Sequence, residues 1–121
     1  MPVIHLDQSV LATLQEVMED EYSTLLDVFL QDSEARIVRI RHLMAQVPVD
    51  LLEVSMTAHS FKGSCSNMGA LRLVELCREL EDRTREQQVD GLVQLLACVE
   101  DEYCTVRRLF DVERQLLVAH H

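Results

Sequence analysis

Residues that break helices are almost absent from this chain. Pro48 is the only proline beyond Pro2, and Gly63, Gly69 and Gly91 are the only glycines in 121 residues. Hairpin-rich β folds need turn residues every few positions, so this chain must run as a few long helices joined by short connections. Apolar residues make up 48% of it, enough for a core and too many for a disordered chain. The length fits a single domain over residues 1–121, and a chain opening on Met1 is expected to stand alone.

Apolar spacing places the helices. A first, short helix is expected from about Asp7, its N-cap, to Met18, with Val10, Leu11, Leu14, Val17 and Met18 as one stripe. A second spans about Asp20 to Gln46, where Tyr22, Leu25, Phe29, Ser33, Ile37, Ile40, Leu43 and Val47 recur at three and four, and Pro48 stops it. A third runs from about Asp50 to Gly69 with Leu51, Val54, Ala58, Phe61, Cys65 and Met68 along its seam. A fourth covers about Ala70 to Gln87, turning Leu73, Leu76, Cys77, Leu80 and Thr84 inward. Asp90 is expected to cap a fifth, with inward residues from Leu92 through Tyr103 to Leu109, Phe110, Leu116 and Leu117. Connections this short make neighbouring helices antiparallel. The expected fold is all-α: an antiparallel up-and-down four-helix bundle with the short N-terminal helix packed across it. Residues 118–121 are expected to be disordered or, at His120-His121, derived from a purification tag.

Charge and cysteine usage remove several function classes. The net charge is −10, whereas nucleic-acid binders carry basic surfaces, so no nucleic-acid partner is expected. The longest apolar run is the five residues from Leu95 to Val99, too short for a membrane span, and the N-terminus lacks the pattern of a secretory signal. The expectation is a cytoplasmic monomer that does not engage membranes. Cys65, Cys77, Cys98 and Cys104 show no Cys-x-x-Cys spacing and sit in helical patterns, so they read as small core hydrophobes rather than metal or redox groups. His5 and His42 read as surface or packing residues.

One segment does not read as plain core. The stretch from Thr57 to Ala70 places Gly63 inside a helix, at a cost of about 1 kcal/mol against Ala, and adds three serines. On a helical wheel His59 lies roughly 130° and Gly63 roughly 170° from the apolar seam. The outward patch is Ser55, Met56, His59, Lys62, Gly63 and Ser66. Lys62, the only lysine, follows His59 by three residues, and Gly63 follows by four, so both rise beside the imidazole. That set suits phosphoryl transfer. A neutral imidazole is a nucleophile, a lysine one turn away stabilises the charge of a phosphoryl group, and a glycine leaves room for a large donor. An exposed His and Lys are also common on helices without any role.

The sequence Ala58-His59-Ser60-Phe61-Lys62-Gly63-Ser64, with Asn67-Met68-Gly69-Ala70 downstream, resembles the signature of histidine-containing phosphotransfer (HPt) domains. That signature is an Ala-His-x-Leu-Lys-Gly-Ser core followed by Leu-Gly-Ala. Here Phe61 and Met68 stand where the family usually has Leu, and both stay apolar. Phe29-Leu30-Gln31-Asp32-Ser33 with Arg36, and Leu76-Cys77-Arg78-Glu79-Leu80-Glu81, are similar to family segments as well, so the resemblance covers nearly the whole chain. It implies a phosphocarrier in a multistep phosphorelay. His59 would accept a phosphoryl group from the receiver domain of a hybrid sensor kinase and pass it to the receiver of a response regulator. The Mg²⁺ and the acidic pocket would belong to the receiver, leaving no metal or cofactor in this chain. By position, Glu81 and Arg85 resemble family residues that flank the His. Glu81 would accept a hydrogen bond from Nδ1 of His59 and Arg85 would help hold the phosphoryl group.

Other bundle chemistries fit poorly. A kinase dimerisation helix would carry an acidic residue straight after the His and a Pro soon after, but Ser60 follows His59 and no Pro does. No Gly-rich nucleotide-binding stretch is present, no Glu-x-x-His pair could build a di-iron site, and no His-Glu-x-x-His occurs. The alternative that stays open is a helical adaptor that binds signalling partners without phosphotransfer.

Overall fold

Residues 2–119 are described by a computed structural model. The elements are α1 (Gln8–Met18), a 3₁₀ turn (Glu19–Glu21), α2 (Tyr22–Met44), α3 (Leu51–Asn67), α4 (Leu71–Arg85) and α5 (Leu92–Ala119). Helices α2 to α5 form the antiparallel bundle, each packed on its chain neighbour, with α2 closing against α5.

The helix ends follow the residues that stand there. Asp7 caps α1 by accepting from the amides of Ser9 (3.0 Å) and Val10 (3.4 Å), and Asp50 caps α3 by accepting from Glu53 N (3.1 Å). Gly69 ends α3 with φ +68°, where Ala70 N reaches Cys65 O (2.9 Å) and Gly69 N reaches Ser66 O (3.2 Å), the paired bonds of a Schellman turn. The same glycine seats α1: Asp7 N donates to Gly69 O at 2.8 Å, and a Cβ on Gly69 would meet Val10 Cβ at 3.1 Å. The short helix is thereby packed on the α3–α4 corner.

The core joins Leu26, Phe29, Ile37 and Ile40 of α2 to Val54, Ala58 and Phe61 of α3, Leu73 and Leu80 of α4, and Val99, Val106 and Phe110 of α5. Phe29 and Phe110 meet with ring centroids 5.7 Å apart. Buried phenols find partners: Tyr22 donates to Glu113 (2.6 Å) and Tyr103 to Leu30 O (3.1 Å).

Several expectations are corrected. Val47 is 98% exposed because α2 ends at Met44, three residues before the stripe does. Val17, Leu109 and Leu116 are also exposed, because they stand off the line of the buried residues of their own helices, Leu11 in α1 and Val99, Val106 and Phe110 in α5. Leu95 N bonds Gly91 O (2.9 Å), so α5 starts from Gly91, with φ +78°, one residue later than a cap at Asp90 would place it. Cys65 and Cys77 are core residues as expected, but Cys98 and Cys104 are exposed, since they fall between the inward positions of α5. Residues 118 and 119 continue α5, and the expectation for 120 and 121 lies outside the described residues.

Candidate functional site

The site lies on the seam between α3 and α4, the most closely packed pair of helices. His59 leaves the outer side of α3 with 69% of its side chain exposed. It leans across to α4, where its Nδ1 lies 2.7 Å from Oε2 of Glu81. A carboxylate can only accept, so Nδ1 carries the proton and donates. In the neutral ring Nε2 therefore holds the lone pair, and the ring is held with one nitrogen fixed and the other available to attack.

Glu81 is the centre of the arrangement. Its side chain is 2% exposed, yet three groups converge on it: His59, Lys62 with Nζ at 2.7 Å from Oε1, and Arg85 with a guanidinium nitrogen 3.3 Å from Oε2. Burial by itself would raise the Glu81 pKa, but the hydrogen bonds from Lys62 and His59 outweigh it and hold the group below its ordinary value of 4.5. Glu81 is ionised at neutral pH, and with Lys62 and Arg85 it leaves the site with one net positive charge on a chain of net charge −10. An anionic group approaching here meets cations, against carboxylates over much of the remaining surface.

Most of the residues picked from the sequence stand together. Met56, Gly63 and Ser66 are exposed on the outer side of α3, and a Cβ on Gly63 would meet nothing within 4 Å. Ser55 does not belong to that surface. It is 8% exposed and its Oγ donates to Glu81 O at 3.4 Å, because the close approach of α4 covers this flank of α3. Ser55 braces the helix that holds Glu81. A groove beside His59 is lined by Leu52, Met56, Ser60, Thr84 and Arg85 among others. Leu52 extends the outward patch expected from the sequence: it stands four residues before Met56 on the same line of the helix and is 69% exposed. Among the described residues no group of three or more His, Cys, Asp or Glu side chains could hold a metal ion. His42 and His5 lie elsewhere: His42 is exposed beside Gln46, and His5 bonds Glu102 on α5 at 2.7 Å.

Comparison with known proteins bears on the fold and the family. The crystal structure of histidine-containing phosphotransfer protein B from Pseudomonas aeruginosa PAO1 superposes with a TM-score of 0.89 at 46% identity, covering 94% of this chain and 97% of that one. Histidine-containing phosphotransfer protein 2 of Arabidopsis thaliana is 30% identical over 105 residues, 83% of this chain and 67% of its own length. Pseudo histidine-containing phosphotransfer protein 1 of Oryza sativa subsp. japonica is 26% identical, over 84% of this chain and 57% of its own length. The Hpt domain family matches residues 24–109, a span that includes the oriented His59, the buried Glu81 and all but the ends of the bundle, and the chain belongs to that family.

Proposed function

We propose that His59 is the residue through which this phosphorelay histidine phosphotransfer protein carries its phosphoryl group. The observation that supports it most is the bond from Nδ1 to a carboxylate that is itself buried, which leaves Nε2 as the nucleophile on an exposed ring. In the forward step Nε2 attacks the phosphorus of a receiver aspartyl-phosphate in line. The N–P bond forms, the acyl P–O bond breaks, and the receiver carboxylate leaves with the electron pair. A second receiver reverses the step. Lys62 and Arg85 stabilise the charge on the equatorial oxygens during both passages.

The partners are receiver domains, those of hybrid sensor kinases as donors and those of response regulators as acceptors. Mg²⁺ serves from the receiver side, and this chain needs no cofactor and no nucleotide of its own. It is a phosphocarrier rather than a kinase. Met56, Gly63 and Ser66 form the surface against which the receiver rim is pressed. His59, Lys62, Glu81 and Arg85 form a complete constellation within one chain, which supports transfer by the monomer. Among the described residues no helix is long and apolar enough to cross a membrane. With its strongly acidic surface the chain does not engage nucleic acid. Transfer from a phosphorylated receiver, followed by mass spectrometry under neutral or alkaline conditions, tests the proposal. An acid-labile phosphate is expected on His59 and no transfer to a folded His59→Gln variant. Phosphate on His42, or signalling that persists in His59→Gln, would overturn it in favour of another site or of a non-catalytic adaptor.

A further inference from the structure

Three side chains of α3 reach across to α4, and all of them reach one residue. Ser55, His59 and Lys62 follow one another at four and three, the spacing that puts side chains on a common face. Ser55 Oγ donates to the backbone carbonyl of Glu81 (3.4 Å), Nδ1 of His59 to its Oε2 (2.7 Å) and Nζ of Lys62 to its Oε1 (2.7 Å). Among the described residues no other side-chain hydrogen bond joins these two helices, apart from a longer contact of Lys62 with the same carboxylate. The antiparallel pairing explains the division. Helical carbonyls point toward the C-terminal end of their helix, and Cα–Cβ bonds tilt toward the N-terminal end. Glu81 of α4 therefore aims its carbonyl toward the start of α3, where Ser55 stands, and its carboxylate the other way, toward His59 and Lys62.

Ser55 behaves unlike the helical threonines. The hydroxyls of Thr13, Thr57, Thr84 and Thr105 donate to the carbonyl four residues back in their own helix, at 3.0, 2.8, 2.8 and 3.3 Å. Ser55 crosses to a neighbouring helix instead, at a position only 8% exposed, where an unpaired hydroxyl is costly. The acceptor has room for it. One lone pair of the Glu81 carbonyl serves the hydrogen-bond ladder of α4. The single proton of Thr84 goes to Leu80 O (2.8 Å) in preference to Glu81 O (3.1 Å). The second lone pair of the Glu81 carbonyl is left to Ser55.

We propose that Ser55 is a positioning residue for phosphotransfer: its hydroxyl fixes the axial register of α4 on α3 and so keeps the Glu81 carboxylate on Nδ1 of His59. The inference rests on His59 as the phosphoryl carrier. The apolar residues that join the two helices, among them Val54, Ala58 and Phe61 of α3 and Leu73 and Leu80 of α4, attract without direction. Hydrogen bonds are directional. Ser55 and Lys62 stand about 10 Å apart along α3 and hold Glu81 from opposite sides, so a slide of α4 either way stretches one of the two bonds. Without the Ser55 hydroxyl the register depends on the flexible side chains of Glu81 and Lys62, and Nδ1 loses its fixed acceptor for part of the time. In that fraction the proton moves to Nε2, which then has no lone pair with which to attack phosphorus.

Two measurements on the full chain test this. Nitrogen NMR of the labelled, unphosphorylated protein at about pH 9, where imidazole is neutral, reads the tautomer of His59. Single-turnover transfer from a phosphorylated receiver reads the rate. The wild type should show one tautomer, protonated at Nδ1. Ser55→Ala should show a mixture of both, and its transfer should slow about two- to tenfold, the range of one neutral hydrogen bond. Thr57→Ala also removes a hydroxyl from α3, but one bonded within its own helix, and should leave both readings at wild type. A single tautomer in Ser55→Ala overturns the proposal whatever the rate, since any slowing would then come from packing or receiver contact. A mixture with an unchanged rate overturns it as well, and so does a Ser55→Ala chain that thermal melting shows to be unfolded, which would make Ser55 a residue of the fold rather than of the site. A wild type that takes no phosphoryl group on His59 strikes the carrier reading and this inference with it. Normal wild-type transfer beside an undisturbed Ser55→Ala strikes the inference alone.

Discussion

Gly63→Gln separates receiver docking from chemistry on a single residue. Gly63 stands one turn after His59 inside α3, and no atom outside its own helix backbone lies within 4 Å of a Cβ built on it. The substitution meets no steric barrier in the bundle and removes the helix-interior penalty of glycine, about 1 kcal/mol. In a domain of this size that gain raises Tm by about 3–5 °C. The new side chain also extends beside the imidazole, where a receiver has to bring phosphorus within about 3 Å of Nε2. Misplacement by about 1 Å costs on the order of a hundredfold in rate, so transfer from a phosphorylated receiver should fall at least that far. Gly63→Ala adds only a methyl group and should fall between the two. Small donors such as phosphoramidate or acetyl phosphate need no docking surface, so any slow labelling of His59 by them should be unaffected. The assays are thermal melting, single-turnover transfer from the receiver, and labelling by the small donor, all on the same preparation. Transfer at the wild-type rate would refute the close-approach argument. A melt well below wild type would show that Gly63 is needed for packing.

Lys62→Ala should slow transfer about ten- to a hundredfold without abolishing it, because Arg85 still offers a cation beside Glu81; an unchanged single-turnover rate would leave Lys62 as a partner of Glu81 only. The lowered pKa of Glu81 means that its carboxylate contributes stability that is fully present above its ordinary value of 4.5 and is lost as the pH falls through the lowered value. Urea unfolding should accordingly find Glu81→Gln less stable than wild type by about 1–3 kcal/mol at about pH 7, with the gap closing in acid; a gap independent of pH would mean that packing, not ionisation, is at stake. His5→Ala removes the 2.7 Å partner of the buried Glu102 and should cost about 1–3 kcal/mol in the same assay while leaving transfer unchanged. A loss of transfer at full occupancy of the folded state would link the N-terminal arm to the site.

The helices and the histidine were legible in the chain. Two distant prolines, three glycines and a sustained three–four apolar period leave little besides a helical bundle, and the wheel put His59, Gly63 and Met56 on the outside of α3 because 3.6-residue periodicity is a local property. Where a helix stops and what covers its flanks are not local. The apolar period runs on to Val47, but α2 ends at Met44 and leaves that side chain in solvent. Ser55 sat at the border of the wheel, and only the closeness of α4 turned it inward. Glu81 shows the difference most clearly. Its place beside His59 was implied by likeness to a family, while its own position in the sequence, amid the charges of Glu79, Asp82, Arg83 and Arg85, looks like an ordinary surface acid. Packing of α4 on α3 removes it from water and sets His59, Lys62 and Arg85 around it. The order of residues determines which face each side chain takes along its own helix; the burial of a charge and the partners that compensate it depend on a second helix, 22 residues away in the chain and 2.7 Å away in space.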